Sequence, residues 1–284
     1  MKCLAGPIAL LFISATGLLS AAEEGSFDKS LSVSGPVDLD LKTDSGGIHV
    51  SQGSSGSVHI HAILRAEHNW FGSDDVEARI RELERHPPID QNGNHVRVGY
   101  AKEASLLKGI SMRLEIETPA TTQLHAHADS GGIRIEGIQG PVDCKTDSGG
   151  IEISDVSASV HAVADSGGIH ARNIEGSFVA HADSGGIDAA GIAGAIEAST
   201  DSGRVKLSQT APAPINAKAD SGGVSITLAH GTGYDISANT DSGHITVPEM
   251  TVHGTFSPHH VEGKIGSGGP LVKIQVESGG VTVD

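Results

Sequence analysis

The 284-residue chain carries 35 acidic side chains against 19 basic ones, a formal charge of −16, and only 3% of its residues are aromatic. That balance excludes a nucleic-acid binder, which needs clustered Lys and Arg against phosphate, and simple adsorption to anionic lipid. So few aromatics also exclude a large aromatic-walled ligand pocket, while the surplus acid suits a repetitive β protein that must stay soluble.

Residues 1–22 read as a signal peptide. Lys2 is the only early charge, an apolar stretch runs from Leu4 to Leu19, and Ser20-Ala21-Ala22 offers small residues for cleavage before Glu23. The stretch is short, is broken by Pro7 and Gly17, and has no basic residues on its far side, which disfavours a retained membrane helix. No second apolar run of spanning length follows, so no transmembrane segment is expected after cleavage. Cys3 leaves with the peptide and lies too early for lipid acylation. Cys144 then has no partner for an intramolecular disulfide.

The mature region, 23–284, reads as a single β-repeat domain. Its first turn motif, Asp44-Ser45-Gly46-Gly47, is followed by a block over residues 62–118 that breaks the pattern. There Ser73-Asp74-Asp75 with Val76, Ile80 and Leu83 predicts a capped amphipathic helix that ends at Pro87-Pro88. Asn92-Gly93 predicts a hairpin turn between Ile89 and His95–Val98. Met112–Ile116 alternates like a strand. The block is expected to cover one end of the repeat core and protect an exposed strand edge, with Trp70 and Phe71 as its anchor.

From Asp129 the motif Asp-Ser-Gly recurs at Asp147, Asp165, Asp183, Asp201, Asp220 and Asp241, at spacings of 18, 18, 18, 18, 19 and 21 residues. Aligned on the Asp, four positions stay small or apolar. They hold, for example, Leu124, Ala126, Ile133 and Ile135 around Asp129, and Val142, Cys144, Ile151 and Ile153 around Asp147. Variable polar residues alternate with them, which is strand periodicity. An 18-residue unit cannot bury its apolar stripe alone, but stacked units can. The expected fold is therefore all-β, a flattened parallel β-solenoid of about 18-residue coils, regular over 124–250, with a small helix-plus-hairpin insertion. An antiparallel meander is the alternative. Residues 253–269 read as irregular, before a last strand at Leu271–Val276 and a final turn and strand ending at Val283.

These features together resemble the bacterial putative-adhesin β-strand-repeat family, also called toastrack domains. The resemblance rests on Met112–Glu117, Thr118-Pro119, the Asp-Ser-Gly-Gly-Ile-x-Ile cycles, and the closing Gly-Ser-Gly-Gly, Leu-Val-Lys-Ile and Ser-Gly-Gly-Val-Thr-Val segments, and it covers residues 37–284. It implies an envelope-associated β-solenoid with no established enzymatic activity and no catalytic residues to carry over. Some relatives belong to envelope-stress systems fused to membrane segments.

Candidate chemistry is sparse. A ladder of Asp supplies about one carboxylate per coil, while calcium takes six to eight oxygens, so the Asp is read as turn chemistry. It is expected to accept backbone N–H groups in the following turn, an interaction that outweighs a neighbour repulsion of roughly 1 kcal/mol. The pairs His59/His61, His125/His127 and His259/His260 have metal-ligand spacing, but solvent-facing strand positions hold varied polar residues, with Arg134, Glu152, His170, Asp188 and Lys206 in one equivalent row, so these His read as surface. Cys144 falls in the small row and reads as core. No coil differs from its neighbours as a Ser-His-Asp triad would require, and no acid cluster marks a glycosidase. No catalytic residue, cofactor or metal is assigned. The expectation is a non-enzymatic adhesive or structural protein that is secreted, periplasmic or at the cell surface, and that binds an envelope polysaccharide or protein. The alternative is an accessory role in envelope-stress sensing.

Overall fold

The computed structural model describes residues 24–67, 74–101, 103–231, 233–247 and 250–284. The expected signal peptide, the proposed N-cap Ser73 and the expected anchor Trp70-Phe71 lie outside the described residues. Each coil gives one strand to each of two sheets. The strand before the Asp-Ser-Gly corner joins a 13-stranded leading sheet, and the strand after it joins a 12-stranded trailing sheet. Both sheets face inward on a shared core.

The stacking is parallel and in register. Val142 pairs with Val160, Cys144 with Ala162 and Thr146 with Ala164, and across the corner Ile133, Ile151, Ile169 and Ile187 are successive neighbours. That register excludes the meander. The four aligned positions are buried in every coil from Asp129 to Asp220, while in the Asp241 coil Ile245 and Val247 are half-buried. The Ala positions hold the sheets close together.

Two further buried rows complete the core. One lies just before the Asp: Thr43, Ala128, Thr146, Ala164, Ala182, Thr200, Ala219 and Thr240. Its mixture of Ala and Thr hid it from an apolar count. The Thr hydroxyls are satisfied across coils, Thr146 donating to the Gly131 carbonyl at 3.0 Å and Thr200 to that of Gly185 at 2.9 Å. The other row is Ile138, Val156, Ile174 and Ile192, nine residues after the Asp. Strict alternation would turn the eighth residue inward. That residue is left-handed instead: Gly137, Asp155, Asn173 and Gly191 have φ of +73°, +58°, +55° and +77°. Gly, Asp and Asn are the types that tolerate this region, and the twist there delivers the ninth side chain to the core.

Coil order departs from chain order at both ends. The Asp44 coil stacks directly on the Asp129 coil, with Leu39 beside Leu124 and Ile48 beside Ile133. The chain between Gln52 and Thr122 builds the cap. It adds Ile110–Thr118 and Ser57–Ala66 to the trailing sheet, where the N-terminal strand Glu24–Ser32 joins them as the outermost strand, and His95–Val98 and Ile89–Asn92 to the leading sheet. The hairpin turns at Gly93, φ +62°. The helix Asp74–Arg85 buries Ile80 and Leu83 against this end. The outermost strand is then blunted by side chains. Glu84 accepts the Ser26 N–H at 3.0 Å, and Gln91 donates to the Ser32 carbonyl at 2.9 Å. This is the expected protection of an edge.

At the other end the last coil, Leu271–Ser278 and Val281–Val283, sits between the Asp220 and Asp241 coils. Val272 pairs with Ile215 on one side and Ile236 on the other. Residues 250–265, in the segment expected to be irregular, form an antiparallel hairpin of Met250–Ser257 and His260–Ile265, whose second strand pairs with Tyr234–Ser242 and closes that edge. Alternation was too weak there to show in the sequence.

Two polar details of the frame are testable. Cys144 is 1% exposed, and burial, helped by nearby Asp143, pushes its thiol well above the usual range. A thiol reagent at pH 8 is expected to leave the folded, processed chain unmodified and to label one site after denaturation. A raised thiol also has a definite sign. Its contribution to stability is complete below the unfolded thiol's range, near pH 8.5, and is lost as pH rises above it. Labelling of the folded protein within minutes would contradict the packing.

Tyr100 donates to Asp40 at 2.6 Å and lies under the Arg97 guanidinium, 4.0 Å from ring centre to Cζ. Arg97 also bonds Asp40 at 3.4 Å, tying the cap to the first coil. Burial and the Asp40 hydrogen bond push the phenol up to about 12. Ultraviolet titration should show one tyrosine ionising about two units late, and Tyr100→Phe should remove that late step and cost about 1 kcal/mol. A single normal titration would refute this arrangement.

Candidate interaction face

The Asp-Ser-Gly corner determines what each surface displays. Its backbone ladder is unbroken: the Gly149 N–H donates to the Ser166 carbonyl at 2.9 Å and the Ile151 N–H to the Gly168 carbonyl at 3.0 Å, and neighbouring coils repeat both bonds. Among the described residues no corner Asp accepts a backbone N–H, which corrects the expected Asp turn. Several of the carboxylates instead face a His or Lys two residues upstream, while Asp165, Asp201 and Asp241 have Val163, Ser199 and Asn239 there. His127 lies 2.8 Å from Asp129, His181 2.8 Å from Asp183, and Lys218 2.9 Å from Asp220. Lys145 reaches both Asp147, at 3.6 Å, and Asp165, at 3.8 Å. The hydrogen bond to Asp220 raises the Lys218 ammonium above its usual range. Lys42, Lys145 and Lys218 beside the acid ladder thus offset part of its repulsion.

The histidine pairs do not converge. His59 bonds the Ser57 hydroxyl at 3.2 Å while His61 bonds Asp28 at 2.8 Å. His125 faces Asp143 and His127 faces Asp129. Among the described residues one group with metal-ligand atoms lies within 4.8 Å of one another: His127, Asp129 and Asp147. The Lys145 ammonium already engages its Asp147.

The outer face of the trailing sheet differs. One row runs Asp28, His61, Glu115, His49, Arg134, Glu152, His170, Asp188, Lys206, each the register partner of the next. Acids and bases alternate with a single exception, His49 beside Arg134. Opposite charges on adjacent strands are favourable, and Arg134 bonds Glu152 and approaches Glu136 at 3.9 Å.

Three adjoining hollows of about 600, 320 and 600 Å³ lie on this face. They share Arg134, Glu152 and His170 on one side and His49 and Glu115 on the other. Their walls are polar and charged, as an aromatic-poor composition requires. The side chains of Arg113, Arg172, Arg204 and Lys206 are exposed there, with no side-chain hydrogen bond or ion pair to the described residues. Sequence reasoning found part of this row but read it as variable surface. It could not see that the cap strand Ile110–Thr118 brings Arg113 and Glu115 into line with the coils.

Two solved structures align with this chain. A putative cell adhesion protein from Clostridium sporogenes aligns over 92% of this chain and 99% of its own length, at 11% identity and a TM-score of 0.27. A putative adhesin from Bacteroides fragilis aligns over 91% and 97%, at 16% identity and a TM-score of 0.47. No curated protein matches. No helix among the described residues is long and apolar enough to cross a membrane. The model of the family described as Toastrack DUF4097 matches residues 30–284, and the chain belongs to that family.

Proposed function

We propose that this is a non-enzymatic binding protein of the cell exterior or envelope, adhesive or structural in role, which engages an envelope component through the outer face of its trailing sheet. One observation carries the reading: the hollows, the alternating charges and the unpartnered cations converge on that face. Repeat stacks commonly use an extended face in this way. The corner Ser and Asp recur coil after coil in one environment, which supports turn and surface roles over catalysis. The sequence of residues 1–22 supports export.

The test is capture from an envelope extract by the processed chain, 23–284, with a variant carrying Arg134→Glu and His170→Glu as comparison. The expected result is retention of an envelope fraction by the wild type and its loss in the variant. If nothing is retained, or if both proteins retain the same material, the reading falls.

A further inference from the structure

The second glycine of the corner motif is not required by the backbone. Gly47, Gly132, Gly150, Gly168 and Gly186 form one row, fixed by N–H donation from Leu114 to Gly47, Ile48 to Gly132, Ile133 to Gly150, Ile151 to Gly168 and Ile169 to Gly186, at 2.9–3.0 Å. None of the five has a left-handed φ. A Cβ on Gly150 would lie 3.5 Å from the Gly168 carbonyl, and one on Gly132 would lie 3.3 Å from that of Gly150. Arg204 and His244 occupy equivalent positions with full side chains. At Gly47, Gly132, Gly168 and Gly186 a Cβ would stand 3.1–3.3 Å from the next carbonyl, a contact relieved by a small shift, and Arg204 and His244 show that the row admits side chains. Glycine carries an entropic cost, so five in succession call for another reason. The reason visible in the structure is space, because four of these glycines, Gly47, Gly132, Gly150 and Gly168, floor one of the two hollows of about 600 Å³ on the face.

The ends of this trough are as specific as its floor. The same row is continued by Arg113 at the cap end and interrupted by Arg204 beyond Gly186, through Ile187 N–H donation to the Arg204 carbonyl. Both arginine side chains are exposed and unpartnered by the described residues. Six strand spacings separate them, about 29 Å. Guanidinium groups match carboxylate in a two-point fork, whereas Arg134, between them, is taken up by Glu152 and Glu136. Glu115 and Asp188 on the flanking row repel a dense polyanion. They leave room for a chain whose charges are spaced apart. The trough lies on a face rather than an edge, so it offers no strand pairing to a peptide. His49, His170 and Glu152 along it suit hydroxyl groups.

We propose that this trough holds an extended, carboxylate-bearing glycan, with Arg113 and Arg204 as terminal anchors. The inference rests on the face assigned above and names its ligand class. Binding of the processed chain to polygalacturonate is measured by titration calorimetry, beside a neutral glucan, polyphosphate and a uronate disaccharide. The expected result is binding to the long uronate that weakens with salt, and little binding to the disaccharide. The pair Arg113→Gln and Arg204→Gln should weaken it at least about tenfold, or about 1.4 kcal/mol. Gly150→Leu should block the floor, and Lys273→Gln on the opposite sheet should change nothing. Thermal unfolding of each variant guards against misfolding, and if Gly150→Leu does not fold, the arginine pair decides. Unchanged affinity in the arginine pair, equal binding to the neutral glucan, or preference for polyphosphate overturns the glycan assignment. Failure on polygalacturonate while envelope material is still captured overturns this inference alone. Failure of both overturns the face as well.

Discussion

Deleting residues 271–284 is expected to abolish cooperative unfolding of the C-terminal part of the molecule, a far larger effect than trimming one terminal repeat. The deleted coil lies inside the stack, between the Asp220 and Asp241 coils. It buries Val272, Ile274, Val276, Val281 and Val283. At roughly 1.5–3 kcal/mol each, these side chains together represent on the order of 10 kcal/mol, comparable to the whole stability of a typical domain. The deletion also strips the hydrogen-bonding partner from Ile215–Ser221 on one side and Tyr234–Ser242 on the other, leaving two bare edges that invite aggregation. Circular dichroism melting with gel filtration checks the outcome. A truncated monomer with an unchanged midpoint would show instead that the Asp241 coil can drop onto the Asp220 coil.

Adjacent glycines are expected to answer substitution in opposite ways. Gly149 has φ +150°, and a Cβ there would run into the Gly131 carbonyl of the neighbouring coil. Gly149→Ala must therefore open the corner ladder at mid-stack. It should cost about 3 kcal/mol or more, a fall in Tm of about 6–12 °C for a domain of this size. Gly150→Ala meets only an ordinary contact with the Gly168 carbonyl at 3.5 Å, and should stay within about 1 kcal/mol of wild type. Thermal melts of the two variants side by side suffice. Equal losses would remove the claim that the second glycine is spared by the fold, and with it the trough's main support.

The regular coils were legible because their chemistry is local. Two side chains before the corner and two after it alternate with polar neighbours, and a constant period stacks them. The residue before the Asp escaped because Thr146 and Thr200 look polar until their hydroxyls are seen bonded to a neighbouring coil. The ninth-position row escaped because one left-handed residue, Asp155 or Asn173, breaks the alternation. Coil order was illegible for a deeper reason. Coils of one pattern are interchangeable as sequence, so nothing in Leu271–Val283 states which two coils will flank it. The interaction face was half visible. Arg134, Glu152, His170, Asp188 and Lys206 line up by period alone, but Arg113 joins them through pairing across the cap. The second glycine looked like turn chemistry until the space around it was known.

The interior coils have one more consequence. Because Asp147, Asp165 and Asp183 stand at the heads of units with identical corners and inward rows in matching register, the body can change length only in whole steps. Duplicating one 18-residue unit adds about 4.8 Å, one more corner carboxylate and one more glycine of groove floor, and leaves the helix-bearing start and the hairpin-closed finish as they are. Reach along a partner is therefore a counted quantity for this molecule, adjustable by gene duplication without redesigning either terminus.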